Sequence, residues 1–186
     1  MSIVLGLDVS TSVVGICVLD TQKQSNDRIL LLDHVVPKGD LIDKSYDVRN
    51  KLISLKQQFS NFDAIVIEEP LMSFSKSMSS AATITTLMRF NGMCSLVVFD
   101  VFAVKPSYIS ASHGRKVCGI KMKRVAACGL SQKQQTFNYM IANDLKHVVW
   151  PTKKSKKIPA PTVDWAYDEC DAYVLTKAYC VENALF

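Results

Sequence analysis

The chain has 186 residues, of which 48% are hydrophobic, with 7 Gly and 6 Pro. Those values fit one domain, residues 1–186, with a sizeable core, and argue against two full domains. Its 22 Lys+Arg against 17 Asp+Glu give a net charge of +5, an excess that permits a nucleic-acid partner without demanding one.

Taken in chain order, Ile3 to Leu7 and Val14 to Leu19 are continuous apolar runs separated by the turn-prone Ser10-Thr11-Ser12, which predicts two buried strands in a hairpin. Arg28 to Val36 predicts a third strand, stopped by Pro37-Lys38-Gly39. Val48, Leu52, Leu55 and Phe59 then recur at helical spacing. Asp63 to Glu69 predicts a fourth strand whose apolar centre, Ala64 to Ile67, runs directly into two carboxylates. A long helix is expected from Ser77 to about Val98, loosened or bent at Asn91-Gly92, followed by a fifth strand at Val101 to Val104. Ser131 and Gln134 form a capping box that starts another helix, and Val163 to about Val181 forms the last. Ser110 to Leu130 and Trp150 to Thr162 are expected to be irregular. Early hairpin strands followed by strand–helix crossovers require a mixed sheet with helices on its faces, an α/β fold.

The six cysteines, Cys17, Cys94, Cys118, Cys128, Cys170 and Cys180, include no CxxC pair and no Cys/His group at zinc spacing. Most lie in apolar runs, as buried thiols of a reducing compartment would. No basic leader precedes an apolar stretch and a cleavage site, and no segment reaches about 18 unbroken apolar residues. A soluble, intracellular, cytoplasmic protein with no membrane association is expected, in a bacterial cell or a virus-infected host.

The distribution of carboxylates raises the functional question. Asp164, Asp168, Glu169 and Asp171 crowd one short helical stretch, where like charges repel, so something positive belongs beside them. A lysine-rich neighbour and a metal ion both satisfy that need. Asp8, in "VLGLDVSTS", reads either as a strand-end residue accepting bonds from the turn or as a ligand. One of Glu68 and Glu69 must face the same interior as the apolar residues before it, and an unpaired carboxylate there is too costly to keep for packing. A strand-end Asp, a strand-end Glu and a helical Asp pair can supply hard oxygen ligands to Mg²⁺, and two such ions suit phosphodiester cleavage.

"IVLGLDVSTSVVGICVLD", "AIVIEEPLM" and "AYDECDAYVLTKA", in this order, resemble the RuvC-type Holliday-junction resolvases of the ribonuclease H-like superfamily. The resemblance spans nearly the whole chain and lies in the order of the motifs. It implies a ribonuclease H-like, mixed five-stranded sheet with helices on both faces. By motif it implies two Mg²⁺ ions, replaceable by Mn²⁺, held by Asp8, Glu68, Asp168 and Asp171, with Glu69 as the rival of Glu68. It also implies a catalytic lysine after the fifth strand, matched by Lys105, and another at the start of the next long helix, matched by Lys133. An aromatic wedge beyond the strand-four Glu is matched by Phe74, with Lys76 beside it.

Two basic stretches fit such a protein: Arg115, Lys116, Lys121, Lys123 and Arg124, and Lys153, Lys154, Lys156 and Lys157. Solvated loops often carry such charge. Beside carboxylates that would repel DNA, they read better as phosphate contacts. The resemblance implies structure-selective cutting of four-way junctions, leaving 5′-phosphate and 3′-hydroxyl ends. A homodimer follows from the substrate's two-fold symmetry, with the Ser77–Val98 helix as a candidate interface. Other readings are a ribonuclease H-like nuclease for forks, flaps or RNA–DNA hybrids, an actin-like ATPase, and a non-catalytic junction binder. Ser10, where the ATPase turn would carry Gly, argues against the second, and the carboxylate set against the third.

Overall fold

The structure, a computed structural model, describes residues 2–24, 27–70, 81–151, 153 and 163–186. In chain order the elements are β1 (Ile3–Val9), β2 (Val14–Asp20), β3 (Ile29–Val35), α1 (Leu41–Phe59), β4 (Ala64–Glu68) and α2 (Ala81–Phe102). They continue with β5 (Ser107–Ile109), α3 (Ala111–Val117), α4 (Val125–Cys128), α5 (Gln132–Ala142) and α6 (Trp165–Glu182). The sheet order is β3-β2-β1-β4-β5. β1 pairs antiparallel with β2 and β2 with β3, while β4 lies parallel to β1 and β5 parallel to β4. The result is the mixed five-stranded sheet of a ribonuclease H-like α/β fold.

β1 and β2 are buried along their whole length, which is why they read as unbroken apolar runs rather than as alternation. The two-residue period of the strand still sorts their side chains. Ile3, Leu5, Leu7 and Val9 of β1, with Ile65 and Ile67 of β4, enter a core shared with Val48, Leu52 and Leu55 of α1 and Phe90, Cys94 and Val98 of α2. Val4 and Val66 point to the opposite face, into a second core with Cys170, Val174 and Ala178 of α6 and Phe137 and Met140 of α5. Helices therefore cover both faces of the sheet. The cysteines are all free, and all but Cys128 are buried.

Two glycines let α6 lie directly on the hairpin. A Cβ on Gly6 would fall 1.8 Å from Thr176 Oγ1, and one on Gly15 2.1 Å from the Asp168 carbonyl oxygen. Gly15 pairs with Asp8 in the β1–β2 register, so the close approach brings the first turns of α6 over the end of β1.

Three expectations are corrected. Val101 to Val104 is not the fifth strand: Cys94, Val98 and Val101 continue the buried face of α2, and helical periodicity overrides the β-branched run. The helix ends at Phe102, before Ala103, whose φ is 57°, and the strand follows at Ser107–Ile109. Asn91-Gly92 does not interrupt α2, which runs unbroken through both residues. The stretch from Ser110 to Leu130 is not wholly irregular, since it holds α3, capped by Ser110, and the short α4. The capping box at Ser131 and Gln134 does open α5. α2 is long and apolar enough to cross a membrane by length and composition alone, but its Phe90, Cys94, Val98 and Val101 pack against the sheet.

Candidate active site

Parity along parallel strands selects the strand carboxylates. Asp8 shares the face of Val4 and Gly6, and Glu68 the face of Val66, so both carboxylates emerge under α6 at the same end of the sheet. Glu69, one residue on, is exposed and uses its backbone N–H to bond the Ile109 carbonyl at 3.0 Å. The strand end bearing Glu68 is held by Asn91, whose Nδ2 donates to the Glu68 carbonyl at 2.8 Å. The sequence offered a signal for Asn91, a buried polar residue in an apolar helix, but it reads there as a weak point rather than an anchor. The turn after Asp8 is closed by Ser10, whose Oγ accepts from Val13 N–H at 3.1 Å and donates to Val13 O at 2.7 Å. Asp8 itself is buried.

α6 brings Asp168 and Asp171 down from above. Lys133, in the first turn of α5, reaches into the group: its Nζ bonds Asp168 Oδ1 and lies 3.8 Å from Asp8 Oδ2 and 3.7 Å from Asp171 Oδ2. The three aspartate side chains are nearly enclosed, whereas that of Lys133 is 49% exposed. One cation thus faces three aspartates from the solvent side.

The balance of charge shows in the protonation of the group. Glu68 is pushed up to about 10 by burial, then by a hydrogen bond to Asp8 and the charges of Asp8 and Asp171, against the pull of Lys133. Asp171 is pushed up to about 7 by burial and then by Asp8, with Lys133 and Arg115 opposing. Burial also raises Asp168, opposed by Lys133. Burial of the Lys133 ammonium works against its charge, but Asp8, Asp171 and Asp168 outweigh it and raise its pKa. One lysine does not neutralise four carboxyls, and the deficit is met by retained protons. Such a set of hard oxygen donors, short of positive charge, fits a divalent cation of the Mg²⁺ type.

A pH dependence follows. A carboxyl whose pKa is higher folded than unfolded binds more protons in the native state. Its contribution is complete below the ordinary carboxylate range and is lost as pH rises through the folded value. In excess chelator the melting temperature should therefore fall as pH rises from about 5 to 7, where the Asp171 share is lost. Asp171→Asn should flatten that slope in thermal melts. An equally steep slope in the variant would contradict the assignment.

Other candidate residues fall in several places. Lys105 is corrected. It precedes β5 instead of following the fifth strand, and because Ser107 pairs with Val66 and Ile109 with Glu68, it lies at the end of the sheet away from the carboxylates. Arg115, on α3, is close enough to Asp171 to favour its ionised form. Lys116, Lys121, Lys123 and Arg124 are exposed. Gln135 of α5 holds their segment by accepting from Lys123 N–H at 2.8 Å and donating to the carbonyls of Lys123 and Leu130, both at 3.0 Å. Lys153 is ion-paired with Asp164, which accounts for that aspartate outside the cluster. Phe74, Lys76, Lys154, Lys156 and Lys157 lie outside the described residues.

No family model matches the chain, and none of the curated proteins does. Solved structures do. Thermus thermophilus RuvC in complex with Holliday junction substrate superposes with a TM-score of 0.63 at 14% identity, covering 99% of this chain and 96% of that one. A second Thermus thermophilus RuvC structure gives 0.59 at 15% identity, covering 97% and 96%. The yeast mitochondrial Holliday junction resolvase gives 0.53 at 14% identity, covering 99% of this chain and 80% of its own. The chain thus has the ribonuclease H-like fold in the form that RuvC-type resolvases adopt.

Proposed function

We propose that the protein is a structure-selective endonuclease that resolves four-way DNA junctions by Mg²⁺-dependent phosphodiester hydrolysis. The observation that carries this reading is the meeting of Asp8, Glu68, Asp168 and Asp171 around Lys133 on a fold shared with junction resolvases. The four carboxyls are the residues that would hold the ions, two as the sequence resemblance implies, and Mn²⁺ would serve in their place. Bound there, the metal supplies a water of lowered pKa and a counter-charge for the leaving oxygen.

The chain's own contribution is electrostatic and positional. Lys133, half open to solvent, meets a phosphate oxygen and offsets charge developing in the transition state. Arg115 adds positive potential beside Asp171, and the exposed Lys116, Lys121, Lys123 and Arg124 bind the backbone of the junction arms without reading sequence. Hydrolysis leaves a 5′-phosphate and a 3′-hydroxyl.

Two nicks related by symmetry call for two sites, and hence a homodimer. What supports a homodimer is the outer face of α2, where Met88, Leu96 and Phe99 are exposed, Leu96 by 68% and beside Ile42 and Tyr46 of α1. Exposed apolar side chains gathered on one face of a helix are a usual mark of an interface. Leu96→Glu with Phe99→Glu should convert a dimer to a monomer in sedimentation and replace paired nicks by single ones, leaving the fold intact. A wild-type protein that stays monomeric on junction DNA would refute the interface.

The deciding experiment incubates the protein with labelled four-way junction, fork, flap, RNA–DNA hybrid and linear duplex in Mg²⁺, Ca²⁺ or chelator. Symmetric cutting of the junction in Mg²⁺, with binding but no turnover in Ca²⁺, is expected. Preferred cutting of forks, flaps or hybrids would assign a different ribonuclease H-like nuclease. Cutting in excess chelator would remove the metal mechanism, and ATP hydrolysis without DNA cleavage would overturn the reading.

A further inference from the structure

Next to the carboxylate cluster, on the far side of Asp168, lies a second group of polar side chains. Asp33, His34 and Glu169 bring one donor atom each to within 4.8 Å of one another. The charges of this group are already answered by the protein. Lys51 pairs with Asp33, and His34 Nδ1 is hydrogen-bonded to Glu169 Oε1 at 2.7 Å. The Glu169 carboxyl is buried, and the His34 ring stacks on Trp165 with centroids 4.3 Å apart and planes 15° apart. Edge strand β3 is thereby joined twice to the first turns of α6.

That junction matters because it ties down the helix start that carries Asp168. Its N-cap residue, Asp164, has helical dihedrals (φ −63°, ψ −40°) and makes no side-chain cap bond; the first turn is closed by backbone bonds, from Ala166 N–H to the Val163 carbonyl and from Tyr167 N–H to the Asp164 carbonyl, both at 3.1 Å. Asp168 sits in that turn. Its carbonyl presses on Gly15, in the gap where a Cβ would be 2.1 Å away, and on the other side Tyr167 meets Phe137 edge-on at 5.2 Å.

We propose that His34, Trp165 and Glu169 form a clamp that positions Asp168 and Asp171 for catalysis by holding the start of α6 to β3. The proposal rests on the nuclease reading above. The clamp residues act through the backbone of α6 and touch neither substrate nor metal. A carboxylate displaced by about 1 Å costs on the order of 100-fold in rate, so a local loosening too small to unfold the domain is enough to be read in the kinetics.

The test compares His34→Ala and Glu169→Ala with the conservative variants His34→Asn, whose amide stands near the Nδ1 position, and Glu169→Gln. The readouts are single-turnover cleavage in Mg²⁺, junction affinity in Ca²⁺, melting temperature, and hydrogen exchange at amides 166–171. Both Ala variants should cut roughly 10- to 100-fold more slowly, with junction affinity and melting temperature little changed and faster exchange confined to those amides. The conservative variants should recover most of the rate. Unchanged rate and exchange in the Ala variants would overturn the clamp. So would a rate loss that tracks a fall in melting temperature and is not recovered by His34→Asn. Zn²⁺ stabilising the wild type but not His34→Asn would also overturn it, by showing a cation site instead. If the wild type cuts no DNA, the nuclease reading fails, and the exchange measurement alone decides whether the start of α6 is held as described.

Discussion

Asp8→Asn, Asp168→Asn, Asp171→Asn and Glu68→Gln are each expected to stop junction cleavage while leaving junction binding intact or tighter. Each substitution removes a proposed ligand oxygen, and the loss should exceed the roughly 10- to 100-fold that follows when an outer partner of a metal ligand is removed. For the three Asp→Asn variants, binding should be intact or tighter because, once a cation keeps the carboxylates ionised, the substitution deletes a negative charge that faces phosphate. Glu68→Gln differs. Glu68 retains its proton to about 10 in the absence of a cation, so the substitution removes little charge in chelator, and its effect should appear only when metal is supplied. Glu69→Gln is the internal control. Its side chain is exposed one residue past the inward-facing position, and its variant should cut nearly as the wild type does. The measurement is single-turnover cleavage in Mg²⁺ with binding in Ca²⁺. Loss of cutting in Glu69→Gln but not in Glu68→Gln would place the strand end one residue out of register.

Lys133→Met should lower the cleavage rate by about 100- to 1,000-fold, the range seen when one preorganised donor to a developing oxyanion is removed, and weaken junction affinity by no more than one phosphate contact's worth. The motive is geometric: this half-exposed ammonium lies within 3.8 Å of Asp8 and 3.7 Å of Asp171 and is bonded to Asp168. Lys133→Arg should recover only part of the rate, because a planar guanidinium cannot occupy the space of a compact ammonium among three carboxylates. Lys105→Ala, by contrast, should cut normally, since Lys105 lies at the other end of the sheet. Equal losses of binding and cutting in Lys133→Met would reduce the residue to a DNA contact, and full activity would remove it from the site.

The two lysines show where the sequence is legible and where it is not. Both matched a family pattern by position relative to an element, and the match held only where the element was read correctly. Ser131 and Gln134 announce the start of α5 by local chemistry, a capping box that any chain must satisfy within four residues, so Lys133 is correctly placed on a first turn. Lys105 depended on a strand at Val101–Val104, and β-branched residues at that point equally suit the buried face of a helix. Only the packing of Cys94, Val98 and Val101 against the sheet settled the choice.

Asp8 and Glu68 stood out because a carboxylate that ends a buried apolar run needs a reason to be there. Local pattern alone left Glu68 and Glu69 equal. The pleat decided between them once β4 was registered against β1, because neighbouring residues on a strand face opposite sides. Asn91 and His34 were beyond local reading for a related reason. Their partners, the Glu68 carbonyl and the Glu169 carboxyl, are distant in sequence, and neither residue type announces such a bond.

Local matters were legible from the residues themselves: the hairpin, the succession of strands and helices apart from β5, α3 and α4, the helix start at Ser131, and the carboxylates and lysine that are candidates for a site. Which carboxyls meet, which lysine faces them, and which residues of β3 contact the helix that carries two of them depend on packing across the whole domain. Those outcomes depend on sheet order and on the direct contact of α6 with Gly6 and Gly15. Contacts between segments at opposite ends of the chain are chosen by packing over the whole domain, which no local periodicity encodes.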